Sequence, residues 1–340
     1  MSARPILVDG LQYGRWSPGI FQQMREGGVS AIHATVAYHE NFRDCVEHIL
    51  AWNRRFAEHA DLILPGRDAA DIERASAEGR TAVFFGSQNP SVIEGDLRLV
   101  EALYALGLRF LQLSYNNQSL LCTGWREAED TGLTLMGREV VREMNRLGMV
   151  VDMSHSSERS TLEAIAASQR PIAITHANPR WWRDTARNKS ERVLDALAES
   201  GGMVGLSLYP AHLKDGSDCT RASFVDMARR LADRIGVAHI GIGSDLCQDQ
   251  PDEVVRWMRV GRWTFGDPDA MGLGKAAFPA QPAFFRDNRD FPTLRAGLLA
   301  GGFSAAEVDQ LLGLNWLAFM RASFGAAAQP AIPARSLAAR

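Results

Sequence analysis

Eight short apolar runs recur along the chain, at positions 5–9, 29–36, 81–85, 108–113, 149–153, 171–175, 203–208 and 239–243. Amphipathic stretches at 41–59, 96–106, 137–147, 158–168, 191–199 and 223–234 fill most of the gaps. Regular alternation of this kind implies parallel strands joined by helical crossovers. Runs such as MVVDMS and IAIT are apolar on both faces, as expected of strands with helices outside and barrel packing inside. Eight such units predict an α/β fold, a (β/α)8 TIM barrel, which 340 residues accommodate with insertions. A doubly wound sheet is the competing architecture. The segment 246–290, rich in Trp, Arg, Gly and Pro, follows the last strand and reads as a lid over the site. Behind the pair Ser304 and Glu307, a capping-box pattern, apolar residues recur at helical spacing to position 324 and predict a closing helix. The expectation is one barrel domain over 1–325, lid included, and a loosely ordered tail over 326–340.

Charge narrows the partners. With 37 Lys and Arg against 40 Asp and Glu, the chain has no positive excess to drive binding to nucleic acid or anionic lipid. Its four cysteines lie far apart without a CxxC pair, which argues against a zinc ribbon or dithiol site and for free thiols in a reducing compartment. The apolar run near the start is shorter than that of a signal peptide, and nothing approaches the roughly 20 apolar residues of a membrane span. The expectation is a cytoplasmic enzyme acting on a small molecule, with neither nucleic acid nor membrane as partner.

Barrel chemistry comes from residues at the carboxyl ends of strands. Here His155 follows the fifth run (VVDMSHSS), His176 the sixth (IAITHANP) and Asp245 the eighth (IGIGSDLC). Two imidazoles and a carboxylate at one mouth form a metal or acid/base constellation. The third and fourth runs end in neutral groups, Gln88 and then Tyr115 and Asn116, and the first ends in VDGLQYG. Such a mouth has room for one divalent ion, most simply Zn2+, on His155 and His176 with Asp245, Gln88 or water completing the shell; two ions are excluded by the shortage of negative charge. A site with no metal at all is the other possibility. Tyr13, Gln88 and Asn116 are candidate substrate contacts at the same mouth. The loop WWRDTARNKSERV places Arg187 and Asn188 where they would take an acidic end of a ligand, or else it is a solvated loop that caps a helix through Ser190.

These segments, VDMSHSS, PIAITHANPR, ARNKSERVL, GGMVGLSLYP and IGIGSDL, with ALYALGLRFLQLSYN, resemble the membrane dipeptidase family, peptidase family M19, in order and spacing. The resemblance implies a barrel of the metal-dependent amidohydrolase type, homodimeric, with a two-zinc site that hydrolyses dipeptides. It makes His155 and His176 the zinc-binding histidines, Asp245 the catalytic aspartate, and Arg187 with Asn188 the segment that binds the substrate carboxylate. Leu11 and Tyr13 stand where the family has His and Asp on the first strand, Gln88 where it has the bridging Glu, and Tyr115 where it has a carbonyl-polarising His. One metal site is thereby dismantled and the other spared. The expected function is a dipeptidase-family hydrolase for a small carboxylate-bearing dipeptide or amide, with at most one metal. In it Asp245 is the base, Tyr115 the oxyanion donor, and His155 acts with His176 on the ion. Two alternatives stand beside it. One is an enzyme of methylated-amine or amino-acid catabolism, its ligand caged by Tyr13, Trp16, Trp181, Trp182, Trp257 and Trp263. The other is a ligand-binding pseudoenzyme.

Overall fold

The computed structural model describes residues 4–275 and 277–325, so the expected tail lies outside the described residues. Its strands are β1 (Val8–Gln12), β2 (Ala31–Ala37), β3 (Ile63–Pro65), β4 (Thr81–Ser87), β5 (Leu108–Gln112), β6 (Val150–Asp152), β7 (Ala173–Ile174), β8 (Met203–Leu206) and β9 (Ile240–Ile242). All pairings are parallel. Eight of these strands close on themselves, β1 lying between β2 and β9 while β2 also pairs with β4. The fold is the (β/α)8 barrel, and the doubly wound alternative falls.

The ninth strand, β3, pairs only with the first half of β4, Ile63 against Thr81, while the second half of β4 pairs with β5, Phe85 against Leu108. It is a spur at the barrel's base. Three residues before a Gly carry too little pattern to be legible. The first strand runs VDGLQ, three residues later than the apolar run suggests. Proline offers no N–H to a ladder, and the carboxylate of Asp9 is drawn inside to accept from Gln12 Nε2 (2.8 Å) and Ser244 N (2.7 Å). The helices Pro18–Gly27, Ala69–Glu78, Asp252–Val260 and Phe291–Ala300 lie outside the expected stretches, and the first two begin at caps legible in the sequence: Ser17 before a Pro, and Asp68 with Asp71 as a capping box.

The expected closing helix forms. Glu307 N donates to Ser304 Oγ (3.2 Å) and Ser304 N to Glu307 Oε2 (2.7 Å), and a π-turn over Gln310–Leu314 leads into Asn315–Ser323. Trp316, fully buried, donates from Nε1 to Ile242 O (2.8 Å) and packs with Val8, Ala31, Phe84, Phe110 and Met203. That cluster plugs the amino end of the barrel and leaves the carboxyl ends for chemistry. The segment 246–290 carries one α-helix, Asp252–Val260. Among the described residues no helix is long and apolar enough to cross a membrane.

Close approach near the mouth explains two glycines. A Cβ on Gly205 or Gly243 would collide with the carbonyl oxygen of Thr175, the residue before His176. Backbone cannot yield as a side-chain tip does. Gly243→Ala is therefore expected to destabilise the protein by about 1–3 kcal/mol, read as a lowered urea midpoint. An unchanged midpoint would refute the tight packing of β7 against β9.

Candidate active site

At the carboxyl ends of the strands lies a cavity of about 240 Å3 whose wall includes Gln88, Tyr115, Asn116, His155, Arg187 and Asp245. It is built on a buried carboxylate that the strand-end reading passed over. Asp152, the last residue of β6, accepts from Ser154 Oγ (2.5 Å), Thr175 N (3.1 Å), Thr175 Oγ1 (2.6 Å) and Gln112 Nε2 (2.9 Å). With its proton given to Asp152, Thr175 Oγ1 is left to accept from His176 Nδ1 at 2.8 Å. His155 is fixed in the same way. Trp125 Nε1, a donor only, reaches Asn116 Oδ1 at 2.6 Å, so this oxygen also accepts from His155 Nδ1 at 2.9 Å.

Both imidazoles thus carry their proton on Nδ1 and turn an Nε2 lone pair toward the other, 3.0 Å apart. Two facing lone pairs need an electron-poor occupant. Burial, reinforced by the charge of Arg187, pushes both histidines well below the ordinary imidazole value, so a shared proton is disfavoured. A tetrahedral ion with nitrogens at about 2.0–2.1 Å holds them about 3.3 Å apart, close to the spacing here. The donor set therefore fits a single ion. It offers two protein ligands and no more: among the described residues no three His, Cys, Asp or Glu side chains are grouped to hold a metal.

Asp245 lies beyond the end of β9 with φ of 56°, a left-handed conformation that aims its side chain into the cavity wall. Its carboxylate accepts no hydrogen bond among the described residues; its nearest cationic or imidazole neighbour is His212 Nδ1 at 3.9 Å from Oδ2. Burial raises its pKa to about 7 against the opposing pull of Arg187. Tyr115 stacks on His155 with ring centroids 4.3 Å apart, and burial pushes its phenol up, so it remains a proton donor at neutral pH.

The membrane dipeptidase (Peptidase family M19) family model matches residues 20–260. The chain belongs to the membrane dipeptidase family. It is 26% identical over 84% of its length to dipeptidase tcpJ of Claviceps purpurea, covering 61% of that protein. Across four such curated relatives the chain spans between 45% and 66% of their length. An amidohydrolase structure from Pseudomonas aeruginosa superposes with a TM-score of 0.90 at 32% identity, over 95% of this chain and 97% of that one. A metallopeptidase from Rhodobacter sphaeroides, liganded with a phosphinate mimic of L-Ala-D-Ala, shares the fold with a TM-score of 0.77 at 20% identity, over 94% and 99% of the two chains.

Within this membrane dipeptidase barrel several expected contacts do not form. Gln88 is no metal ligand through its nitrogen, which donates to Thr35 Oγ1 (2.8 Å) and Tyr38 Oη (3.0 Å). Where the family's first-strand ligands would stand, Leu11 is wholly buried and Tyr13 turns away to line a neighbouring cavity. Rings of Tyr13, Tyr38 and Tyr115 follow edge to face at 4.8 and 5.2 Å beside His155, which leaves that side of the mouth aromatic. Asn188 does not line the cavity: it is buried, its Nδ2 donates to Arg183 O and His212 O, and its Oδ1 accepts from Asn178 N. Ser190 caps the following helix as expected, accepting from Val193 N at 3.3 Å. Arg187 lines the cavity but spends Nη1 on Ser154 O (2.7 Å) and Nη2 on His176 O (2.9 Å), so it clamps two strand ends together. The tryptophan cage is absent: Trp16, Trp181, Trp182, Trp257 and Trp263 do not line this cavity, and Arg126, Arg187 and Arg259, which do, repel a methylated ammonium. His212, Tyr209, Trp125 and Arg126 come from irregular segments, and Arg259 from a helix after the last strand, so that none directly follows an apolar strand run.

Proposed function

We propose that this chain hydrolyses the amide bond of a small carboxylate-bearing dipeptide or N-acyl amino acid, with one divalent ion, most simply Zn2+, on His155 and His176. The observation that carries the reading is the pair of facing Nε2 lone pairs, of which the His155 ring lines the same cavity as the carboxylate of Asp245 and the His176 ring lies buried behind it. Such an ion, when bound, supplies Lewis acidity to a carbonyl and acidifies water. The remaining work belongs to the chain. Asp245, poised near neutrality, takes the proton of the attacking water and returns it to the departing amine. Tyr115 donates its hydroxyl hydrogen to the oxygen on which charge develops. Asp152, through Thr175, and Asn116 keep the two imidazoles in the tautomer that presents Nε2.

A panel of L,L- and L,D-dipeptides and N-acetyl amino acids tests this, assayed on metal-stripped protein and on protein given one equivalent of Zn2+. Hydrolysis restored by the first equivalent and not increased by a second is the expected result. No hydrolysis of any member in either state would overturn the proposal and favour a ligand-binding role.

A further inference from the structure

Two cations on the cavity wall have no part in the chemistry above. Arg126 follows Trp125 in the loop after β5, and Arg259 sits in the last turn of the helix Asp252–Val260. Their guanidiniums converge on one acceptor: Arg126 Nη2 and Arg259 Nη1 both donate to Leu273 O, at 3.2 and 2.6 Å. Arg126 is further held over the ring of Trp125, 4.6 Å from its centroid. Neither has a carboxylate within 4 Å among the described residues, and the Nε of each is buried with no acceptor. Like charges brought together, partly desolvated and sharing one carbonyl are costly unless an anion completes the arrangement.

Charge counting on the cavity wall points the same way. Arg126, Arg187 and Arg259 face one carboxylate, Asp245, and the histidines are neutral. Arg187 exerts its charge on Asp245 from beyond ion-pair distance and is tied to backbone. An uncharged or zwitterionic dipeptide would leave the other two arginines uncompensated. We propose that Arg126 and Arg259 form a second anion subsite, which selects an amide or dipeptide bearing an additional carboxylate, as an Asp or Glu residue provides. This rests on the hydrolase reading for the word substrate, but the subsite itself is testable by binding alone.

N-acetylglutamate and N-acetylglutamine, in both enantiomers, differ at the side chain in charge and hardly in shape. Calorimetric titration of the full chain should show about tenfold or greater preference for the glutamate form, the worth of a charge-assisted pair. In R126Q and in R259Q the preference should shrink to about threefold or less, with affinity for the glutamine form unchanged. Equal affinities in the wild-type protein, which needs no variant to fold, would overturn the subsite. So would a preference that survives in both variants, or failure of both probes to bind at millimolar concentration. The two readings separate cleanly. Acidic preference with no dipeptide hydrolysed overturns the hydrolase and leaves the subsite standing, whereas neutral dipeptides cleaved as fast as acidic ones overturn the subsite and leave the hydrolase.

Discussion

Asp245→Asn is expected to remove about 10²–10⁴-fold of the hydrolytic rate while leaving the protein folded, and under defined conditions more stable. The substitution is a clean one. Asn is nearly isosteric and tolerates the left-handed backbone at φ of 56°, so no strain is added. Burial holds the Asp245 pKa at about 7, against 3.8 for the ordinary group. Between those values the folded protein binds more protons than the unfolded chain, so folding stability falls as pH rises through this window and stays reduced above it. The reduction amounts to roughly 4 kcal/mol at most, from about three units at 1.36 kcal/mol each. Asn carries no such penalty. The metal-free variant should therefore melt above the metal-free wild type at pH 8, with the gap closing toward pH 4. The rate of the wild-type enzyme should rise tenfold per pH unit below a midpoint at or under about 7, since the bound cation favours the carboxylate. Retention of the rate within tenfold, or a variant less stable than wild type at pH 8, would remove Asp245 from the role of base.

How much of this was legible depends on which residues repeat. The barrel was readable because each strand of this fold is an apolar run with a helical stretch behind it, and only β3, three residues long, fell below that signal. His155, His176 and Asp245 were readable because they follow such runs directly, at the one end of the barrel where chemistry is done. What directs them was not readable. Asp152 looks like the polar end of a strand, and only the fold brings Thr175 and Gln112 to within hydrogen-bonding distance of it. Arg187 illustrates the opposite error: an arginine at the mouth reads as a ligand clamp, yet two backbone carbonyls, invisible in a list of side chains, claim it first. His212 lies in an irregular segment and Arg259 in a short helix of the segment 246–290, and the place of both in the cavity is decided by tertiary structure.

Replacing both His155 and His176 by Ala should abolish metal binding, with bound ion falling from about one per chain to none by elemental analysis. Loss of these groups must exceed the 10–100-fold that an outer-shell partner such as Asn116 typically costs. The same pair makes a sharper prediction about pH. A pair of ordinary imidazoles must give up protons to bind a metal, so its affinity collapses below about pH 6.5 with a slope approaching two. Here burial and Arg187 already hold both rings neutral, with Nε2 free and turned toward its partner. Among the described residues of the cavity wall Asp245 is the one carboxylate, and its ionisation, held near 7 by burial with the Asp9 carboxylate close by, adds a negative charge facing an ion where the other charged wall residues are guanidiniums. Metal affinity should accordingly rise about tenfold per pH unit up to about 7 and level off above it. In Asp245→Asn the same titration should be weak and nearly flat. A slope of two in the wild type would show that the histidines are protonated in the metal-free protein, and would overturn the lone-pair geometry on which the site depends.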